Sequence, residues 1–427
     1  VFYDRPDGNT VFSIPGNPPT ATASDLRNGN LATLGSGLSP LPVPSLVTFQ
    51  YNAQVPSSLQ WNIGVQKSLP FQLVGDISYV GNHGYNRLGS LQGGDTQNWN
   101  SVDLGSAYLA KYQDPTLGAP AYPGASAYTT NLLRPFAGYS TINQNTTNFY
   151  DTYHSLQLTV NRRFSHGLSF AAAYTYGISL VGNTGLLLRY IHNADGSIVL
   201  RPDQAQYEAL NKNLDVRPNF LKVNSTWDAP GLNGAGAMVH QLTKDWQLSG
   251  ILTAASGSAY TLGYNYNTAG ANVNITGSPD YSGMVVLGNG VGTGCSGNQF
   301  GQFNASAVQG PTYGSVGLES PRLAMRGCPT ENVDVSVVRS FHFWKFTESR
   351  QFEFRADIFN ALNAAEINAR QGTATFNNPT SMTLVNAEYN ASGAINPGRS
   401  LPKNAGFGAA TGAAPMRSIQ LEVRFGF

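Results

Sequence analysis

The residues of this 427-residue sequence best suited to metal binding or nucleophilic chemistry are six histidines and two cysteines. His83, His154, His166, His192, His240 and His342 are scattered along the chain, and no H-E-x-x-H spacing sets two of them on one helix face for zinc. They read as loop or strand-end histidines. The glycines of GNGVGTGCSG, Gly288 to Gly297, depart from G-x-x-x-x-G-K-[ST], and no strand and helix flank them to aim amides at a phosphate. The stretch ASGSAY, Ala255 to Tyr260, lacks the G-x-S-x-G elbow that presents a serine nucleophile. No catalytic, metal or cofactor site is read, and the chain is not expected to be an enzyme. Cys295 and Cys328 fall in one long loop. Two thiols without a nearby histidine make a poor metal site, so in an oxidising compartment a structural disulfide is expected, closing about 33 residues for roughly 3–4 kcal/mol.

The elements that would carry such a loop are strands. The final stretch, RSIQLEVRFGF, sends Ile419, Leu421, Val423, Phe425 and Phe427 to one face, with Ser418, Gln420, Glu422, Arg424 and Gly426 between them. A strand alternating to the last residue must be paired on both edges or offer an open edge, and a closed barrel removes the edge. Charged residues are 11% of the chain, well under the roughly 25% of soluble domains. The net charge of +1 offers nucleic acid nothing to bind. No apolar run reaches the roughly 18 residues of a transmembrane helix. No signal peptide is read at this start, and VFYDRPDG at Val1 reads as a strand end entering a loop, so the sequence is expected to be a fragment lacking an N-terminal part.

The same pattern recurs as pairs of strands. LQWNIGVQKSL alternates Leu59, Trp61, Ile63, Val65 and Leu69 with Gln60, Asn62, Gln66 and Ser68, and Pro70 turns it into a strand from Phe71 to Val80. HSLQLTVNRRF places Leu156, Leu158, Val160 and Phe164 on one face; Ser165 to Gly167 turn it into a strand carrying Leu168, Phe170, Tyr174 and Tyr176. Further strands are expected at 220–228, 245–256, 333–343 and 350–359, which with the N-terminal stub and the C-terminal strand makes about ten. Short connections at Pro70, 165–167, 229–244 and 344–349 alternate with long ones at 4–58, 81–153, 181–219, 257–332 and 360–416. That asymmetry puts every long loop at one end, as in outer-membrane barrels, and is not expected of a β-sandwich.

An all-β chain satisfies its backbone in lipid only by closing, with apolar faces outward and polar faces lining the lumen. Aromatic residues near strand ends, among them Trp61, Tyr79, Trp227, Trp246, Phe341 and Phe359, suit interfacial girdles; in a soluble protein they would fill a core. The expected fold is an all-β, transmembrane, antiparallel up-and-down barrel, with residues 1–427 forming the C-terminal portion of one barrel domain.

Six segments also carry a resemblance. VPSSLQWNIGVQKSLPFQLVGDISYVGNHGYNRL, YHSLQLTVNRRFSHGLSFAAAYTYGISL, DVRPNFLKVNSTWDAPG, DWQLSGILTAASGSAYTL, FRADIFNALNAAEIN and the terminal RSIQLEVRFGF follow one another as in the C-terminal barrel half of TonB-dependent receptors. The group most resembled is the Oar-like, acidobacterial type with a carboxypeptidase-regulatory-like domain. The resemblance implies a cell outer membrane transporter of about 22 strands that captures an unidentified solute with extracellular loops. It also implies a plug and a periplasmic box contacted by TonB, neither recognisable in this sequence. The alternative function is a structural or adhesive surface barrel that imports nothing. Implied partners are outer-membrane lipid, the TonB complex and the barrel assembly machinery, which would recognise the terminal aromatics Phe425 and Phe427.

Matching the short-turn ends of the last two strands sets Glu353 opposite Arg424 and Arg355 opposite Glu422, all on the polar, lumen face. A one-residue slip would drive all four charges into lipid.

Overall fold

In the computed structural model, the residues described are 2–4, 10–13, 45–88, 96–136, 139–183, 189–192, 198–201, 212, 216–232, 236–267, 275–288, 304–323, 325–342, 351–380, 383–390, 394–399 and 405–426. Nine long strands form one sheet: β1 (Ser57–Leu69), β2 (Leu73–Arg87), β3 (Phe149–Ser165), β4 (Leu168–Asn183) and β5 (Asn219–Ala229), followed by β6 (Trp246–Ala255), β7 (Thr330–His342), β8 (Gln351–Phe359) and β9 (Ser418–Gly426). Their order in the sheet is their order in the chain, and every neighbouring pair is antiparallel.

Register carries the alternation of single strands across the whole sheet. Leu168, Trp227, Leu248, Val337, Ala356 and Leu421 are successive partners from β4 to β9. Val65, Ile77, Leu158 and Tyr174 continue the same face from β1 to β4. Along the strands this face is open: Ile63 is 71% and Leu421 65% exposed. A slip of one residue in any strand would break these rows.

Tight turns fix the register at one rim. Between β3 and β4, His166 and Gly167 both have positive φ (52° and 76°), the two-residue hairpin geometry that follows the strand twist. A Cβ on Gly167 would lie 2.6 Å from the Asp228 carbonyl oxygen, so glycine also lets β5 approach. Higher on the wall, the Trp61 indole lies over its cross-strand partner Gly81, where a Cβ would come within 2.2 Å of the ring. The large aromatic side chain covers the backbone that glycine leaves bare.

Three expectations are corrected. The N-terminal stub, Phe2–Asp4, pairs with Thr10–Ser13 in a separate hairpin and does not join the sheet. Phe71 and Gln72 belong to the turn, both at φ 62°, so the second strand starts at Leu73. The sheet is open: β1 and β9 are its edges and do not pair with each other. The 344–349 connection lies outside the described residues. Among those described, no helix is long and apolar enough to cross a membrane, which leaves crossing by strands untouched.

Candidate functional site: polar wall and loop cap

The second face of the sheet is polar and cross-linked by side chains. At the long-loop end, Ser58 Oγ donates to Asn82 (2.6 Å), and Arg87 pairs with Asp151 (2.7 Å) one strand further on. Nearer the short turns, Thr226 meets Ser249 (3.2 Å) and Gln247 donates to Asp228 (2.8 Å). A concavity of about 460 Å³ is lined by Asn161, Arg163, Ser169, Asn224, Thr226 and Ser249, all on this face by alternation. Such a surface suits water and polar solutes.

Beyond the long-loop rim, three connections fold into a cap. Residues 263–266 pair in parallel with 373–376, joining the β6–β7 loop to the β8–β9 loop. Beneath them Ile275, Val285, Phe376 and Phe407 are buried against one another. The β2–β3 loop brings a smaller core of Val102, Ala107 and Leu133. It is tied to the β6–β7 loop by backbone bonds from Gly105 to Thr276 (2.8 Å) and from Ala107 to Gly277 (2.9 Å). The Arg134 guanidinium grips both Asp280 oxygens at 3.0 Å, with side chains only 6% and 13% exposed. Asp280 also accepts from the Val102 amide (2.7 Å), leaving neither charge stranded. Buried Asn100 donates to the carbonyls of Phe136, Tyr139 and Ser140 and accepts from the Phe136 amide.

Phenols close the cap's seams. Tyr108 donates to the Ile275 carbonyl (2.8 Å), and burial pushes its pKa up to about 12. Burial likewise raises the pKa of Tyr266, which donates to the Pro311 carbonyl. Both are neutral donors at physiological pH.

The model of the outer membrane beta barrel domain matches residues 1–420. The chain belongs to that family. The outer-membrane barrel domain is thus located in the cell outer membrane, with its apolar face toward lipid. Among solved structures, the chain is similar to the outer membrane transporter YddB from Escherichia coli, with a TM-score of 0.36 and 10% identity over 91% of this chain and 35% of that one. It is also similar to the ferripyoverdine receptor of the outer membrane of Pseudomonas aeruginosa, solved with ferripyoverdine bound, with a TM-score of 0.30 and 11% identity over 76% and 26% of the two chains. The barrel domain therefore spans about a third or less of the length of these proteins. A comparison with curated proteins finds no match.

In the barrel domain, β8 and β9 set Glu353 across from Arg424 and Arg355 across from Glu422. The ion pairs nevertheless run along the strands. Arg355 Nε donates to both Asp357 oxygens at 2.9 Å, and Arg424 meets Glu422 at 3.2 Å. Asp357, two residues from Arg355 on the same face, holds that guanidinium, and Arg424 turns to Glu422 instead, so Glu353 forms no ion pair among the described residues. Phe425 is 55% exposed beside its partner Phe352; Phe427 lies outside the described residues. Cys328 is half-buried and disulfide-bonded, whereas Cys295 lies outside the described residues. Among those described, no three His, Cys, Asp or Glu side chains are grouped to hold a metal.

The cap's stitching was missed from sequence. Arg134 and Asp280 stand 146 residues apart, and no local period marks either.

Proposed function

We propose that the barrel domain is the C-terminal part of a TonB-dependent receptor in which the cap captures a solute and the polar wall face conducts it inward. The observation that carries this reading is the cap itself. Two loops share a core, and a third is tied to them by backbone bonds and a buried ion pair, above a polar wall, whereas a merely structural barrel needs only free loops. The resemblance of six ordered segments supports the same family of receptors. In this reading the nine strands are an arc of a cylinder of about 22, and further chain supplies the plug and the TonB contact. Phe425 and Phe427 are read by the barrel assembly machinery, and Cys295 closes the loop with Cys328. The work is done by differential affinity: the cap and plug hold solute tightly when closed and weakly when TonB pulls.

The test is made in the native host with the full-length gene. Residues 257–329 are replaced by a short Gly-Ser link, and outer-membrane assembly is checked by heat-modifiable migration. Solutes removed from the medium are then compared by mass spectrometry. The intact receptor is expected to deplete at least one solute that the cap-less form leaves, and a protonophore should abolish that difference. Identical depletion, with only surface attachment lost, would replace the transporter by an adhesive barrel.

A further inference from the structure

The β5–β6 connection lies at the short-turn rim but contains more than a turn. It holds a helix, Ala237–Thr243, whose apolar side chains are outside: Met238 is 79%, Leu242 58% and Val239 38% exposed. Leu232, 55% exposed, is held beside it by a bond from its amide to Thr243 Oγ1 (3.0 Å). Seven residues are too few to persist as a helix without outside support.

That support comes from the lipid-facing side of the wall. Trp246 shares a face with Leu248, and its indole Nε1 donates to the Leu242 carbonyl (2.8 Å). Arg339, the register partner of Trp246, donates to the Gln241 carbonyl (2.8 Å). The helix is therefore fastened outside the wall, and its exposed apolar residues continue the lipid-facing rows past the last strand residues. The Arg339 guanidinium lies 5.0 Å from the Trp246 ring centre and 4.4 Å from that of Phe341. Among the described residues it has no carboxylate in ion-pairing range, whereas Lys244 has Asp245 at 3.8 Å. A cation on an aromatic girdle with no carboxylate beside it among the described residues is complementary to a lipid phosphate.

We infer that this helix is an interfacial anchor, embedded in the phospholipid leaflet at the periplasmic rim. Met238, Val239, Leu242 and Leu232 enter the acyl boundary, and Arg339 meets phosphate. The inference rests on the barrel reading that puts the short turns in the periplasm.

The experiment uses the full-length receptor in phosphatidylethanolamine/phosphatidylglycerol vesicles. Met238→Cys and, separately, Leu248→Cys are labelled with an environment-sensitive fluorophore without reductant. Position 238 is expected to lose about half its emission to a nitroxide placed shallowly on the lipid, and to resist aqueous iodide. Position 248, level with Trp227 in the girdle, should be quenched by the shallow nitroxide as well. If 238 is open to iodide and untouched by lipid nitroxides while 248 is quenched by them, the barrel stands and the anchor falls. If both positions are open to iodide, the membrane placement of this wall is wrong and the anchor goes with it. In vesicles of a phosphate-free galactolipid, iodide access at 238 should rise about twofold; unchanged access would remove phosphate from the site.

Discussion

In the wall, Ile63, Leu158 and Leu421 point away from the protein, while in the cap Ile275, Phe376 and Phe407 point at one another. The two regions lie a few residues apart in sequence and use similar side chains. The wall leaves its apolar face to be covered by lipid and keeps its polar groups on the opposite side; the cap faces water and builds an ordinary buried core. The difference teaches that this chain has two stabilities. One depends on the bilayer and on strand register, the other on packing between loops.

The strongest way to separate them is Phe376→Ala. Emptying that fully buried site should cost the cap about 3–5 kcal/mol, seen as faster hydrogen exchange across 263–266 and 373–376, with heat-modifiable migration of the wall unchanged. Equal loosening of both regions would show one cooperative unit. The reverse test is Ile77→Arg, midway up the lipid face. It should cost about 2–4 kcal/mol in urea titrations in vesicles and lower the yield of inserted protein, while leaving exchange in the cap as it was.

Alkaline pH should sharpen the contrast further. The Tyr108 phenol is raised from its ordinary 10.0 to about 12 when the cap is folded, so between these values the opened cap releases a proton that the closed cap retains. Its contribution is full below pH 10 and is lost as pH climbs through 12. Protease sensitivity of the cap in detergent should rise over that window in the wild type and rise less in Tyr108→Phe. The smallest effect is expected at Glu353→Gln, about 0.2–1 kcal/mol in the same urea titration, because Arg424 already has Glu422 along its own strand. A larger loss would restore the cross-strand pair to importance.

Nine wall strands were legible because lipid on one side and water on the other force period two. The strict alternation of 418–426 and 351–359 even sets their mutual register. Legibility stops where that contrast stops. Gly81 to Arg87 reads as loop yet continues β2, since residues above the lipid need no apolar face. The hairpin of Phe2–Asp4 was hidden for want of any such contrast. The cap was hidden for a different reason: its apolar residues are isolated among Gly, Asn and Thr, and find partners only across separate loops. β8 and β9 pair in the register that alternation predicts, but the ion pairs do not follow it, because Asp357 on the same face holds Arg355.

The stitching of the cap also limits how this surface can change over generations. Antibodies and bacteriophages act on exposed loops, and free loops can escape them one residue at a time. Here Asp280 cannot change without stranding Arg134, and the 263–266 segment cannot shift without disturbing 373–376. Natural variants should therefore differ at stitched positions in matched sets drawn from different loops. Single, unaccompanied changes should gather at exposed tips such as 115–121, where no second loop has to follow.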